Sequence, residues 1–189
     1  QAFMKIAPKN EKGEKIFANA LTQDDLDKLS HAVLEKCDGL DGLKDGIINA
    51  WEACKFDPKS LNLDKQKIAA IEKIFNGAKN SKGEQIYSGW FYDSGVSAEG
   101  WRQWKLGDSQ SAKPNARNIT LSSGSVNYYF LTPAQPNFDT INFDFDKDTP
   151  KTFETAAIND AISTSLSTFS ANGGKLIIVT GVSDPVFSA

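Results

Sequence analysis

The stretch Asn172-Gly173-Gly174-Lys175-Leu176-Ile177-Ile178-Val179-Thr180-Gly181-Val182-Ser183-Asp184-Pro185 decides the fold class. Residues 175–180 are a continuous apolar, β-branched run, the pattern of a strand buried on both faces in a parallel sheet. Helical spacing over about Ala157 to Phe169 precedes it, and Asn172-Gly173-Gly174 turns the chain between the two. A helix, a tight turn and a buried strand form the tail of an α/β layer. The expected class is therefore α/β, with the companion strands lying outside these 189 residues. Asp184 follows the run directly. In open α/β sheets functional groups gather at the carboxyl ends of strands. An α/β-hydrolase sets its triad acid there, in the chain order Ser, Asp or Glu, His. On spacing alone an Asp-Pro turn closing a strand is the simpler reading, and both stand. No Gly-x-Ser-x-Gly elbow is present, Ser122-Ser123-Gly124-Ser125 lacks a strand–turn–helix context, and no His follows Asp184.

Upstream, residues 1–156 read as a separate, loop-rich and mostly helical unit, an insertion or cap, and residues 157–189 as the α/β segment. Thr22 and Asp25 have capping-box spacing, opening a helix to about Lys36 with Leu26, Leu29, Val33 and Leu34 on one face. His31 sits off that stripe and reads as exposed. A second helix runs from Asp64 to Phe75 and stops at Asn76-Gly77. Trp101 and Trp104 share a face of a short helix over Gly100–Leu106. Phe143 and Phe145 alternate with acids, on one side of an extended piece. No internal repeat is expected.

The densest chemistry is Cys37-Asp38-Gly39-Leu40-Asp41-Gly42-Leu43-Lys44-Asp45-Gly46-Ile47-Ile48. Clustered carboxylates repel unless a cation sits among them. Ca2+, which takes 6–8 oxygens and tolerates backbone carbonyls, is the natural partner. An EF-hand-like register from Asp41 to Glu52 fails where Leu43 occupies the third position. A set of Asp38, Asp41 and Asp45 carboxylates with the Leu43 and Ile47 carbonyls uses every acid. A solvated acidic turn is the plain alternative. Cys37 and Cys54 bracket the loop and read as a disulfide, which points to an exported protein.

Composition sets the outer limits. One His and two Cys exclude zinc centres of three His, four Cys, or two Cys with two His. Twenty-one Lys+Arg against 24 Asp+Glu, net charge -3, leave no basic footprint for nucleic acid. No run of 18 apolar residues exists to span a membrane.

The segment Cys37–Ile48 followed by Cys54-Lys55-Phe56-Asp57-Pro58 resembles the calcium loop of the tannase and feruloyl esterase family. The resemblance continues through Gly83–Trp90, Gly100–Gly107, Phe143–Asp146 and Leu166–Phe169. It closes with Gly173–Ile178 and Gly181–Ser188. It implies a fragment of an α/β-hydrolase with a large helical, calcium-binding lid, from a secreted or periplasmic serine esterase of aromatic esters. It further implies Ca2+ on Asp38, Asp41, Leu43, Asp45 and Ile47, a Cys37–Cys54 bridge, Asp184 as triad acid, and Trp101 and Arg117 facing substrate. Lid core is the other place for Trp101. Several features depart from the family pattern. Leu61-Asn62-Leu63 lacks the further cysteine pair that family members usually carry after the Phe-Asp-Pro segment, Thr180 stands where His is usual, and the Gly-Cys-Ser-x-Gly-Gly nucleophile motif and triad His are absent. These 189 residues alone are then expected to be inactive, completed by the rest of the hydrolase core. A stand-alone, calcium-stabilised binding module is the alternative from a different class.

Overall fold

The computed structural model describes residues 1–188. A short helix α1 (Ala2–Ile6) precedes the principal helix α2 (Gln23–Cys37). The start of α2 is a reciprocal capping box. Thr22 Oγ1 accepts from the Asp25 amide at 3.2 Å, and Asp25 Oδ2 accepts from the Thr22 amide at 2.7 Å. Two of the orphan amide donors of the region are satisfied in this way. Leu26, Leu29 and Val33, spaced to face one side, are fully buried, and His31 is exposed. Each fully buried aliphatic side chain contributes about 2 kcal/mol. Their face packs against a 3-10 turn, Ser94–Ser97, whose Val96 enters the core, while the Ser30 hydroxyl donates to Ser94 O at 2.9 Å.

Helix α3 (Lys65–Phe75) is capped by Asp64, whose carboxylate accepts from the amides of Gln66 and Lys67, and it packs on α1. It ends at Gly77, which has φ +76°. A Cβ there would collide with the Tyr87 carbonyl, so only glycine fits. Helix α4 (Glu99–Lys105) is tied to the chain entering α2. The Arg102 guanidinium donates to Leu21 O at 3.0 Å and Ala18 O at 2.7 Å. Short segments α5 (Arg117–Thr120) and α6 (Ser122–Ser125) lead into a π-turn over Val126–Phe130. Helices α7 (Phe153–Asn159) and α8 (Ser167–Ala171) follow.

The buried strand is not formed. Among the described residues there are two isolated bridges and no strand. Residues 174–181 run without regular structure, with Ile177 86% and Val179 89% exposed. A parallel strand needs ladder partners on both sides and cover on both faces; none of the described segments supplies them. The α/β class is thus not expressed in this region, which is helical and loop-rich. The helical spacing over 157–169 is likewise divided, between α7 and α8, with the intervening residues 160–166 outside any helix.

Contrary to expectation, the chain carries a short repeat. Lys9-Asn10-Glu11-Lys12-Gly13-Glu14-Lys15-Ile16 recurs seventy positions later as Lys79-Asn80-Ser81-Lys82-Gly83-Glu84-Gln85-Ile86. The two turns match bond for bond. Each Asn side chain accepts from the amides two and four residues on, and its own amide meets the Glu carbonyl. Gly13 and Gly83 adopt φ +79° and +83°, and each turn closes on one antiparallel bridge. Each follows one of the two packed helices, α1 and α3.

Cys37 and Cys54 form the expected disulfide, joining the end of α2 to a segment 17 residues on. Lys67 Nζ meets Asp25 Oδ2 at 2.7 Å, linking α3 to the start of α2. Burial pushes the Asp25 carboxyl up, but the Lys67 ammonium and the Thr22 bonds outweigh it and hold it below the ordinary range.

Cys54→Ser should lower unfolding free energy by about 3 kcal/mol, the loop-closure value for a loop of this size, checked by urea denaturation. Because the folded-state pKa of Asp25 is depressed, its contribution is complete above the unfolded value of about 4 and is lost as pH falls below that. Asp25→Ala should therefore cost about 2 kcal/mol at pH 7 and less at pH 3, read from denaturation at both pH values.

Candidate functional site

The turn carrying Asp184 is docked on the loop between α3 and α4. Ser183 Oγ donates to Asp93 Oδ1 at 2.7 Å, and the Trp90 indole N–H donates to Asp184 O at 2.9 Å. Further along, the Ser188 amide donates to Tyr87 Oη at 3.4 Å, and the Ser88 and Ser188 hydroxyls bond to each other. Asp184 Oδ1 accepts from the amides of Val186 at 2.7 Å and Phe187 at 3.2 Å. Its second carboxylate oxygen takes no hydrogen bond from the described residues.

The receiving loop is itself held firmly. Asp93 is 7% exposed, caps the Ser94–Ser97 turn through Gly95 N at 2.6 Å, and has its carboxyl pushed up by burial, partly offset by the Ser183 and Gly95 bonds. Tyr92 stacks on Phe75 with ring centroids 4.2 Å apart. Lys105 Nζ lies 3.8 Å from the centroid of the Trp90 ring. Burial pushes this ammonium down to about 8, with the Asp184 charge pulling the other way. Lys105 and Trp90 border a cavity of about 240 Å³ that Phe3, Phe17, Ile74 and Phe145 also line.

The acidic loop closes on itself. Asp38 Oδ1 accepts from Gly46 N at 3.0 Å, and Asp45 Oδ1 accepts from Ile47 N at 3.0 Å. Asp41 accepts from Leu43 N at 2.9 Å and Asn49 N at 3.3 Å, and the Leu43 bond is foremost in holding its carboxyl below the ordinary range. Gly42 and Gly46 take φ +94° and +84°, where other residues are strained. Among the described residues no three His, Cys, Asp or Glu side chains already converge as a ligand set. The donor chemistry nonetheless fits a hard cation: three exposed or half-buried carboxylates, and Leu43 and Ile47 carbonyls that no hydrogen bond among the described residues uses. Glu52 lies on a separate 3-10 turn, Trp51–Ala53.

Trp101 is 7% exposed and belongs to the hydrophobic core, the second of its two expected places. Arg117 is exposed at the start of α5, its guanidinium carbon 5.8 Å from the Trp104 ring centroid. No carboxylate among the described residues forms an ion pair with it. The structure thus does not bring Trp101 and Arg117 together with Asp184 through any direct bond.

The sequence profile described as "Tannase and feruloyl esterase" matches residues 9–189. The chain belongs to this family. A mono(2-hydroxyethyl) terephthalate hydrolase of Piscinibacter sakaiensis is 32% identical, over 94% of this chain and 36% of that protein. An uncharacterized esterase of Xanthomonas campestris is 30% identical, over 85% of this chain and 31% of its own length. In structure, feruloyl esterase B from Aspergillus oryzae superposes with a TM-score of 0.72 at 18% identity, covering 98% of this chain and 36% of that one. The chain spans about a third of the length of the relatives it matches. The family match and the solved structures accordingly describe a region of an esterase, which in this chain is mostly helical.

Against that family background, Trp90, Asp93, Lys105 and Ser183 stand out as residues the sequence reading did not select. Trp90 meets Asp184 94 positions away and Asp93 meets Ser183 90 positions away, so no local spacing reveals them. A hint was present only in the run Gly89-Trp90-Phe91-Tyr92-Asp93, where one acid closes an aromatic group.

Proposed function

We propose that this chain is the lid, residues 1–156, and the acid-bearing segment, residues 157–189, of a serine carboxylic-ester hydrolase with an α/β-hydrolase core. Its substrates are aromatic esters. The observation that carries the reading is Asp184. Its turn is fixed by main-chain and side-chain bonds, Oδ1 is occupied by two amides, and the other oxygen is left to accept from an imidazole N–H. In that role it orients the histidine and stabilises the imidazolium as a serine is activated. The serine and the histidine come from outside these 189 residues. The exposed apolar run 175–180 supports the reading, since strands of a core sheet would cover it.

The acidic loop is proposed to hold Ca2+ through Asp38, Asp41 and Asp45 and the carbonyls of Leu43 and Ile47. The ion would neutralise the clustered carboxylates and stiffen the loop that the Cys37–Cys54 bridge anchors to α2. Arg117, exposed and without an ion pair, is the proposed contact for a polar group on the substrate. Trp101 supports that face from within the core. The disulfide favours a secreted or periplasmic protein, and among the described residues no helix is long and apolar enough to cross a membrane.

In the full-length enzyme, Asp184→Asn should lower kcat on a chromogenic aromatic ester by about 10⁴-fold with circular dichroism unchanged. Activity at the unsubstituted level removes the triad assignment. Adding Ca2+ to metal-stripped protein should raise Tm by about 5 °C. Asp41→Ala should abolish that shift and Glu52→Gln should leave it; the reverse pattern restores the EF-hand-like register.

A further inference from the structure

The turn carrying Asp184 is bonded directly to the helical body. Among the described residues, Trp90 and Asp93 supply the side chains that reach it from outside its own segment to hold residues 183 and 184. We infer that Trp90 and Asp93 are positioning residues for Asp184, an inference that rests on the reading of Asp184 as the triad acid. Trp90 fixes the acid's own carbonyl at 2.9 Å, and Asp93 fixes the preceding side chain, Ser183, at 2.7 Å. These two bonds hold the backbone on both sides of the Asp184 Cα. They leave the carboxylate oxygen that would face a histidine unencumbered.

Both anchors are rigid in turn, which an effective positioning group requires. The Trp90 amide donates to Phe75 O at 2.9 Å, at the end of α3, and its ring lies beneath the Lys105 ammonium and beside the tilted Tyr87 ring, the latter with centroids 5.7 Å apart. Asp93 is buried and shares one oxygen between Ser183 and the Gly95 amide. The fit is close: a Cβ at Gly95 would meet Asp93 Oδ1 at 2.8 Å and Ser183 Cβ at 3.1 Å. Through Ser94–Ser97 this loop rests on α2, so the acid is referenced to the core of the helical body. A small misplacement of a catalytic group is expensive in rate even where binding is untouched.

The test uses the full-length enzyme and steady-state kinetics on p-nitrophenyl benzoate. Trp90→Phe keeps an aromatic ring, though a smaller one, and removes the donor; kcat should fall about tenfold with KM within about twofold, as for one lost orienting hydrogen bond. Ser183→Ala should lower kcat about fivefold and Asp93→Ala, which also removes the Gly95 cap, at least as much; the double variant should fall no further than Asp93→Ala, since the Ser183 bond is already gone there. Trp90→Phe at full kcat overturns the inference. So does a loss in which KM rises and Tm drops together, which marks general loosening. Full additivity of Ser183→Ala and Asp93→Ala overturns the Asp93 role. Asp184→Asn separates the two levels. If it abolishes turnover while Trp90→Phe does not slow it, only the positioning inference fails; if it leaves turnover intact, the triad reading falls and the inference with it.

Discussion

The apolar face of α2 is the contact on which the remaining geometry depends. Leu26, Leu29 and Val33 bury themselves against the turn at Ser94–Ser97 and so fix its position. That turn begins at Asp93, and Asp93 holds Ser183, the neighbour of Asp184. The same helix is fastened at both ends. Asp25 ties its start to α3 through Lys67, and Cys37 ties its end to Cys54. A hydrophobic face thus sets the location of an acid some 150 positions away in sequence, by a short chain of packed and hydrogen-bonded groups.

What the sequence made legible is what local physics decides. The capping box at Thr22 and Asp25, the helix over Asp64–Phe75 with its stop at Asn76-Gly77, and the buried stripe of α2 all follow from residues a few positions apart. The disulfide was legible because two cysteines bracketing one loop leave few choices. The run over 175–180 is not a strand among the described residues for a physical reason: apolar β-branched residues state a demand for burial, but satisfying it takes partner strands that the described residues do not include. The paired Lys-Asn-x-Lys-Gly-Glu turns were readable in principle, since their Asn and Gly positions match exactly in register. A search by composition passes over them because each is only a polar turn.

The candidate site divides along the same line. Asp184 and the Asp38–Asp45 loop declare themselves by residue type and spacing. Trp90 and Asp93 do not, since an indole N–H aimed at a carbonyl has no sequence signature and a single loop acid is unremarkable until its burial is known. Trp101, with equal claims to core and substrate, is placed by burial alone.

Lys105 adds an electrostatic consequence. Its ammonium sits over the electron-rich face of Trp90, an attraction that strengthens as water is excluded, and that indole grips the Asp184 backbone. Burial disfavours the charge on Lys105, whereas the Asp184 carboxylate favours it. The acid therefore helps to keep charged the very group that steadies its own anchor.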